Sequence, residues 1–376
     1  MQMVKFPSID QFRNVIKQVR DRAKYRGQPL PVLQFNGSVK LHGTNAGVIK
    51  DPRTNEIWCQ SREQIITPEK DNMGFARFIS ELPCRGIDTY FNIAATVYGH
   101  NNVKQGDLIG IYGEWCGQGI MKGVAISQVP KRFVVFGIKV YTPGEVTEDG
   151  QDCGESHWFS PKQLALVQEL YDVEMYRIEP DYKGRIFCIQ DFQTWTVEID
   201  FSQPELIQNY LVELTDGVEK LCPVGKSFGV DGIGEGIVWR CISSWSYPFD
   251  SGIDVSMVQI KTNDLIFKVK GEKHSDTKVT TTASVDVEKV ATIKEFATNV
   301  CTDHRLEKMI EKMKETNIEV NIQNTGQFLK LVGSDVIKEE SDTIDTSGLD
   351  RKDVMPAVNA TARQWYMKLV NKIFFD

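Results

Sequence analysis

The heptapeptide VKLHGTN, Val39 to Asn45, sets an amine, an imidazole, a hydroxyl and an amide within six positions from Lys40 to Asn45. A lysine amine is almost fully protonated at neutral pH. It becomes a nucleophile only where burial or neighbouring positive charge makes it less basic. Two more lysines, Lys268 and Lys270, lie in the run LIFKVK, and a two-residue period sends both to one face and Val269 to the other. Glu114 in DLIGIYGEW and Glu235 in EGIVWRCI are hard oxygen ligands of the kind that hold Mg²⁺. Each group also has a bland alternative: a surface lysine leading into a Gly-Thr-Asn turn, lysines that blunt a sheet edge, or glutamates at exposed strand ends.

These residues sit in short runs that read as strands: AGVIKD (46–51), EIWCQSR (56–62), DLIGIYGEW (107–115), RFVVFGIKVY (132–141), EGIVWRCI (235–242) and LIFKVK (265–270). Their Val, Ile, Phe and Trp content and the glycine-rich turns between them are strand signals. Helices are expected over Ile9 to Lys24, Gly74 to Glu81, and Ser160 to Tyr171 after a Ser-Pro start signal. This order predicts an α+β fold rather than a regular βαβ alternation. KGEKHSDTKVTTTAS (270–284) reads as a polar connector. Beyond it Val287, Val290, Ala291, Lys294, Ala297 and Cys301 recur at helical spacing. Further helices are expected over Arg305 to Glu315, Gln327 to Glu340 and Val354 to Phe374. The stripe Val358, Ala362, Trp365, Tyr366, Leu369 and Ile373 on the last reads as core. The division predicted is 1–278 and 279–376.

Composition removes several function classes. The 376 residues are 41% hydrophobic and 25% charged, as a soluble globular chain is. No apolar run is long enough to span a bilayer, and MQMVKFPSIDQF has no signal-peptide core, which predicts a cytosolic protein with no membrane partner, in a host's cytoplasm if the chain is viral. Eight cysteines form no CxxC pair, so reduced thiols are expected, several of them buried, rather than a zinc site. A net charge of −7 argues against indiscriminate coating of nucleic acid but leaves room for a local basic groove.

In chain order, KLHG (40–43), SR (61–62), YGEW (112–115), FVVFGIKV (133–140), EGIV (235–238) and KVK (268–270) resemble the motifs of the covalent nucleotidyltransferases, the ATP-dependent ligases and RNA capping enzymes. Where DNA ligases and capping enzymes read K-x-D-G with arginine two places on, this chain has His42 and Asn45. K-x-H-G-T-N and GEWCGQGIMKGV (113–124) resemble the double-stranded RNA ligase family, which includes nick-sealing phage RNA ligases and RNA-editing ligases. The resemblance implies an adenylyltransferase domain of antiparallel sheets flanked by helices, with an all-helical C-terminal domain that positions RNA.

The resemblance also implies roles. Lys40 would attack the α-phosphorus of ATP, with His42 serving adenylylation or sealing. Lys268 and Lys270 would touch the α-phosphate and offset transition-state charge. Glu114 would bind the ribose, Glu235 would organise Mg²⁺ or Mn²⁺, and either carboxylate is a metal candidate. Arg62 would meet the ribose or an RNA 5′-phosphate, Phe136 would stack on adenine, Arg240 would meet the triphosphate, and Asn45 completes the nucleotide-binding set. The implied activity is ATP-dependent joining of RNA 3′-hydroxyl and 5′-phosphate ends, with a nicked duplex among the candidate substrates, by a monomer engaged in RNA repair. Lys122, Lys131, Arg132, Lys273, His274 and Lys278 are candidate RNA phosphate contacts. Two positions depart from the family: Val39 stands where glutamate often precedes the lysine, and Gly137 where an aspartate commonly follows the phenylalanine. The rivals are a ligase preferring DNA or hybrid ends and an RNA-binding module whose catalysis is impaired.

Overall fold

The structure, a computed structural model, describes residues 1–71, 73–82, 86–144, 154–178, 185–250, 255–260, 262, 264–274, 293–346 and 349–375. The N-terminal part runs β1 (Asp10–Gln11), α1 (Phe12–Arg26), β2 (Val32–Lys40), β3 (Thr44–Asp51), β4 (Glu56–Ser61), β5 (Ile65–Ile66), α2 (Phe75–Ser80) and α3 (Gly86–Tyr98). Then follow β6 (Leu108–Cys116), β7 (Arg132–Thr142), β8 (Glu155–Trp158), α4 (Pro161–Ile178), β9 (Ile186–Cys188) and β10 (Thr194–Asp200). After α5 (Gln208–Lys220) and α6 (Pro223–Ser227) come β11 (Gly236–Cys241), β12 (Trp245–Asp250), β13 (Val255–Ile260) and β14 (Ile266–Lys270). Four helices close the chain: α7 (Ile293–Val300), α8 (Asp303–Glu315), α9 (Thr325–Thr346) and α10 (Arg351–Phe375).

Two sheets carry the site. The first has the order β1-β14-β11-β2-β10 and the second β5-β4-β3-β6-β7-β8, with β9 beside β7. Pairing is antiparallel except for β1 with β14 and β7 with β9. β2 alternates between buried and more open positions, so its two faces differ: Phe35 and Val39 enter the core while Asn36, Ser38 and Lys40 face the other way. β3 and β6 are buried almost throughout. Their outer partners explain it: α2, α3 and α4 cover one face through Phe75, Tyr90, Phe91 and Tyr171, and Val4, Trp58 and Tyr112 pack on the other. α1 presents Phe12, Val15, Ile16, Val19 and Ala23 to the first sheet at three- and four-residue spacing. The last four helices have their own core around Phe328, Val332, Val358 and Tyr366.

The expected strands and helices are present, with shifted ends. The first helix starts at Phe12 rather than Ile9 because Asp10 and Gln11 pair with Phe267 and Lys268. The segment 142–232, which matched no motif, supplies β8 through α6. The expected 278/279 boundary, Lys278, Cys84, Cys153, Val287, Val290 and Ala291 lie outside the described residues. Cys59, Cys116, Cys188, Cys222, Cys241 and Cys301 are free and buried, as the composition predicted. No described helix is long and apolar enough to cross a membrane.

Candidate active site

β2, β11 and β14 bring the separated motifs together. Their register sets Gly236 opposite both Lys40 and Lys270, and Val238 opposite Ser38 and Lys268. The residue before β11, Glu235, therefore lies against both lysine-bearing strands. Lys40 Nζ donates to Glu235 Oε2 at 2.7 Å, His42 Nδ1 meets the same oxygen at 3.3 Å, and Lys270 Nζ stands 3.4 Å from Oε1. Burial alone would raise the Glu235 carboxyl. The two ammonium groups and the imidazole outweigh it and hold the group well below the usual carboxylate range.

The second sheet adds the other wall. β3 and β6 set Asn45 opposite Glu114, whose Oε1 accepts from the Gly43 backbone N–H at 2.9 Å. Burial pushes the Glu114 carboxyl up to about 7. Lys40 opposes this rise, and the neighbouring Glu235 carboxylate adds to it. One cavity of about 360 Å³ joins the two walls. Lys40, His42, Asn45, Arg62 and Glu114 line it, and so do Phe136, Glu235, Arg240, Lys268 and Lys270. Every residue proposed for catalysis, nucleotide or metal thus borders one space.

Arg240 borders the same cavity at a distance from Lys40 along the sheet. It pairs with Asn36, four residues along the ladder from the Lys40–Gly236 pair, and its Nη2 donates to the Phe136 carbonyl at 3.4 Å. The two departures also have physical accounts. Val39 is 3% exposed and packs in the core of the first sheet, so a carboxylate there would be buried among apolar groups. A Cβ at Gly137 would lie 3.2 Å from the Phe6 ring and 3.3 Å from Trp158. Those rings face the Arg240 guanidinium at 6.0 and 5.6 Å, so aromatic faces stand where the family has a carboxylate.

The expected phosphate contacts divide. Lys122 and Lys273 are exposed. Lys131 donates to the Met73 carbonyl, and the Arg132 guanidinium lies 3.7 Å from the Phe228 ring centroid, so both are engaged locally. His274 is 5% exposed and forms a triangle of rings with His42 and His304, with centroids 5.4 to 5.9 Å apart. Burial keeps the His274 imidazole below its ordinary pKa, favouring the neutral form.

The helical region closes the cavity. His304, Lys308, Lys312, Glu315, Lys338 and Glu339 line it. Glu315 accepts from the Thr44 hydroxyl at 2.5 Å, and Lys268 Nζ donates to Glu339 at 3.3 Å. None of these helical residues, nor Asn36 or Gln190, carried a motif signal. Their proximity comes from long-range packing. Among the described residues no group of three His, Cys, Asp or Glu is set to hold a metal ion. A divalent ion here would lean on one or two carboxylates, waters and a ligand's phosphates, as Mg²⁺ does.

The pattern of the RNA ligase family matches residues 34–270, well over half of the chain. The chain belongs to the RNA ligase family. The matched span runs from β2 to the end of β14 and so takes in every motif at the cavity. Structures of Naegleria gruberi RNA ligase are similar to this family member over 72% of its length. A mutant with ATP and Mn shares 13% identity at a TM-score of 0.38, a second such mutant 11% at 0.41, and the enzyme with PPi 13% at 0.36. The chain spans 57%, 56% and 56% of those chains, under two thirds of their length. The comparison with curated proteins found no match.

Proposed function

We propose that the chain is an ATP-dependent RNA ligase that joins 3′-hydroxyl and 5′-phosphate ends through lysyl-AMP on Lys40. The convergence of Lys40, His42 and Lys270 on Glu235 supports this reading most directly. That cluster places an amine, fixed by a carboxylate, beside the Lys270 ammonium and the His42 imidazole in a nucleotide-sized cavity.

In the first step the Lys40 nitrogen forms a bond to the α-phosphorus while the bond to pyrophosphate breaks. Glu235 orients the amine before attack. Lys268 and Lys270, on one face of β14, offset the charge on the phosphoryl oxygens. In the second step an RNA 5′-phosphate oxygen takes the adenylyl group and the P–N bond breaks. In the third a 3′-hydroxyl attacks that 5′-phosphate, forming the phosphodiester and releasing AMP. Mg²⁺ or Mn²⁺, held through Glu235 and Glu114, would offset phosphate charge. The bound ATP or Mn of the similar ligase structures accords with this assignment. Repair of broken RNA by a monomer is the use we infer.

The test is transfer of label from α-labelled ATP to the protein. Wild type should carry label that pyrophosphate releases, and Lys40→Ala none. Label on the mutant would move the nucleophile away from Lys40, and folded wild type that takes none while still binding RNA would replace this reading with that of a binding module. Competition between nicked RNA, DNA and hybrid duplexes then identifies the sealed strand.

A further inference from the structure

The end of the cavity away from Lys40 is built by groups that the adenylylation chemistry does not use. Asn36 and Arg240 face each other on β2 and β11, four residues and about 13 Å from the Lys40–Gly236 pair. A nucleoside monophosphate held at Lys40 would extend its base along the sheet toward that pair. Phe136, Ile189 and Val238 give this end apolar walls.

The polar groups there have fixed directions. The Trp195 carbonyl can only accept, and it takes a hydrogen bond from Asn36 Nδ2 at 3.3 Å. Asn36 Oδ1 is therefore turned toward Gln190, whose Nε2 donates to it at 3.3 Å. Gln190 Oε1 is left as the acceptor. The backbone around it is held as well: the Gln190 N–H meets Cys188 Sγ at 3.4 Å, and Asp191 accepts from the Cys188 N–H at 2.8 Å. Arg240 Nη1 is buried with no hydrogen-bond partner, and Arg240 lies across the strand pair from Asn36, the residue that holds Gln190, with both Gln190 and Arg240 lining the same cavity. A buried donor left unpaired is costly, so a ligand acceptor that reaches it gains.

We propose that Gln190, oriented by Asn36, reads the exocyclic amine of adenine, with Arg240 donating to a ring nitrogen on the same edge. The inference rests on the nucleotide-binding reading of this cavity. Adenine shows a ring acceptor next to its amine, which matches a donor and an acceptor lining one cavity. Guanine puts an oxygen where the amine stands, opposite the Gln190 oxygen. With Val39 turned into the core, no carboxylate competes for this task.

The experiment compares ATP with purine riboside triphosphate, which lacks the amine, and with GTP. Binding is followed by calorimetry and lysine labelling with α-labelled nucleotides. Wild type should favour ATP over purine riboside triphosphate about tenfold, the worth of one hydrogen bond. Gln190→Met should bring that ratio close to one and leave purine riboside triphosphate unaffected. An unchanged ratio in Gln190→Met overturns the proposal. So does a parallel fall for all three nucleotides, which would mark the residue as structural. Calorimetry separates the two readings. ATP preference without lysine label would defeat adenylylation and leave Gln190 standing, whereas label without preference would do the reverse.

Discussion

Glu235 shows how one side chain acquires its character from its neighbours. Alone, a carboxyl buried to this depth would tend to protonate, and the Lys40 and Lys270 ammonium groups, with the His42 hydrogen bond, keep it ionised. Glu114, on the opposite wall and with fewer cationic partners, is pushed up to about 7. A carboxyl raised in the folded state costs nothing while protonated, below its ordinary 4.5, and costs the most once pH has passed the folded value. Glu114→Gln keeps an oxygen for the Gly43 N–H and cannot ionise. In metal-free buffer its urea midpoint should gain on wild type from about pH 5 to about pH 8. A difference that stays flat over that range would show Glu114 ionising as an ordinary glutamate. At this scale the sequence was legible wherever a motif fixed both residue type and order: Lys40, Glu114, Glu235, Lys268 and Lys270 all border the cavity. Gln190 was not legible, because its role depends on β10 presenting the Trp195 carbonyl to Asn36, a contact 159 residues apart.

The elements convert sequence order into spatial order. β11 is the hinge of the site because it pairs with β2 on one side and β14 on the other. Gly236 makes that fit possible: its φ of 153° is one that side chains rarely adopt, and a Cβ would stand 2.2 Å from the Val269 carbonyl oxygen. Gly236→Ala should therefore destabilise the protein by about 1–3 kcal/mol in urea unfolding and displace Glu235 from Lys40, with loss of lysine labelling. Unaltered stability and labelling would show that β11 shifts without consequence. Strand identities were readable from β-branched and aromatic runs. Register was not, because it is fixed by packing between strands far apart in sequence. The same reason hid β8, β9, β10, α5 and α6, which gain their order from the sheets they border, whereas α4 was legible from its Ser-Pro start.

Across the whole molecule, buried ion pairs knit the helical region together and α1 ties onto it through Arg13. Arg305, fully buried, holds Asp335 and Glu340 at 3.0 Å each, and Arg13 of α1 donates to the Glu339 carbonyl at 2.6 Å and to Thr343 at 2.9 Å. This fastening sets the Glu339 side chain on Lys268, which the sequence assigned to a phosphate. A carboxylate and a phosphate cannot share that ammonium without mutual repulsion, so a nucleotide bound as proposed would have to displace Glu339 or weaken its hold. Glu339→Gln removes the competing charge. It leaves the backbone carbonyl for Arg13 and an amide oxygen for Gln11, which now donates to Glu339 Oε2 at 3.2 Å. The variant should lower the KM for ATP in lysine labelling severalfold, most strongly at low salt, where the pair is least screened. The thermal midpoint should stay near wild type. An unchanged or higher KM would mean that Glu339 holds Lys268 in place for the phosphate rather than competing with it, and the helical region would then be part of the assembled site throughout the reaction.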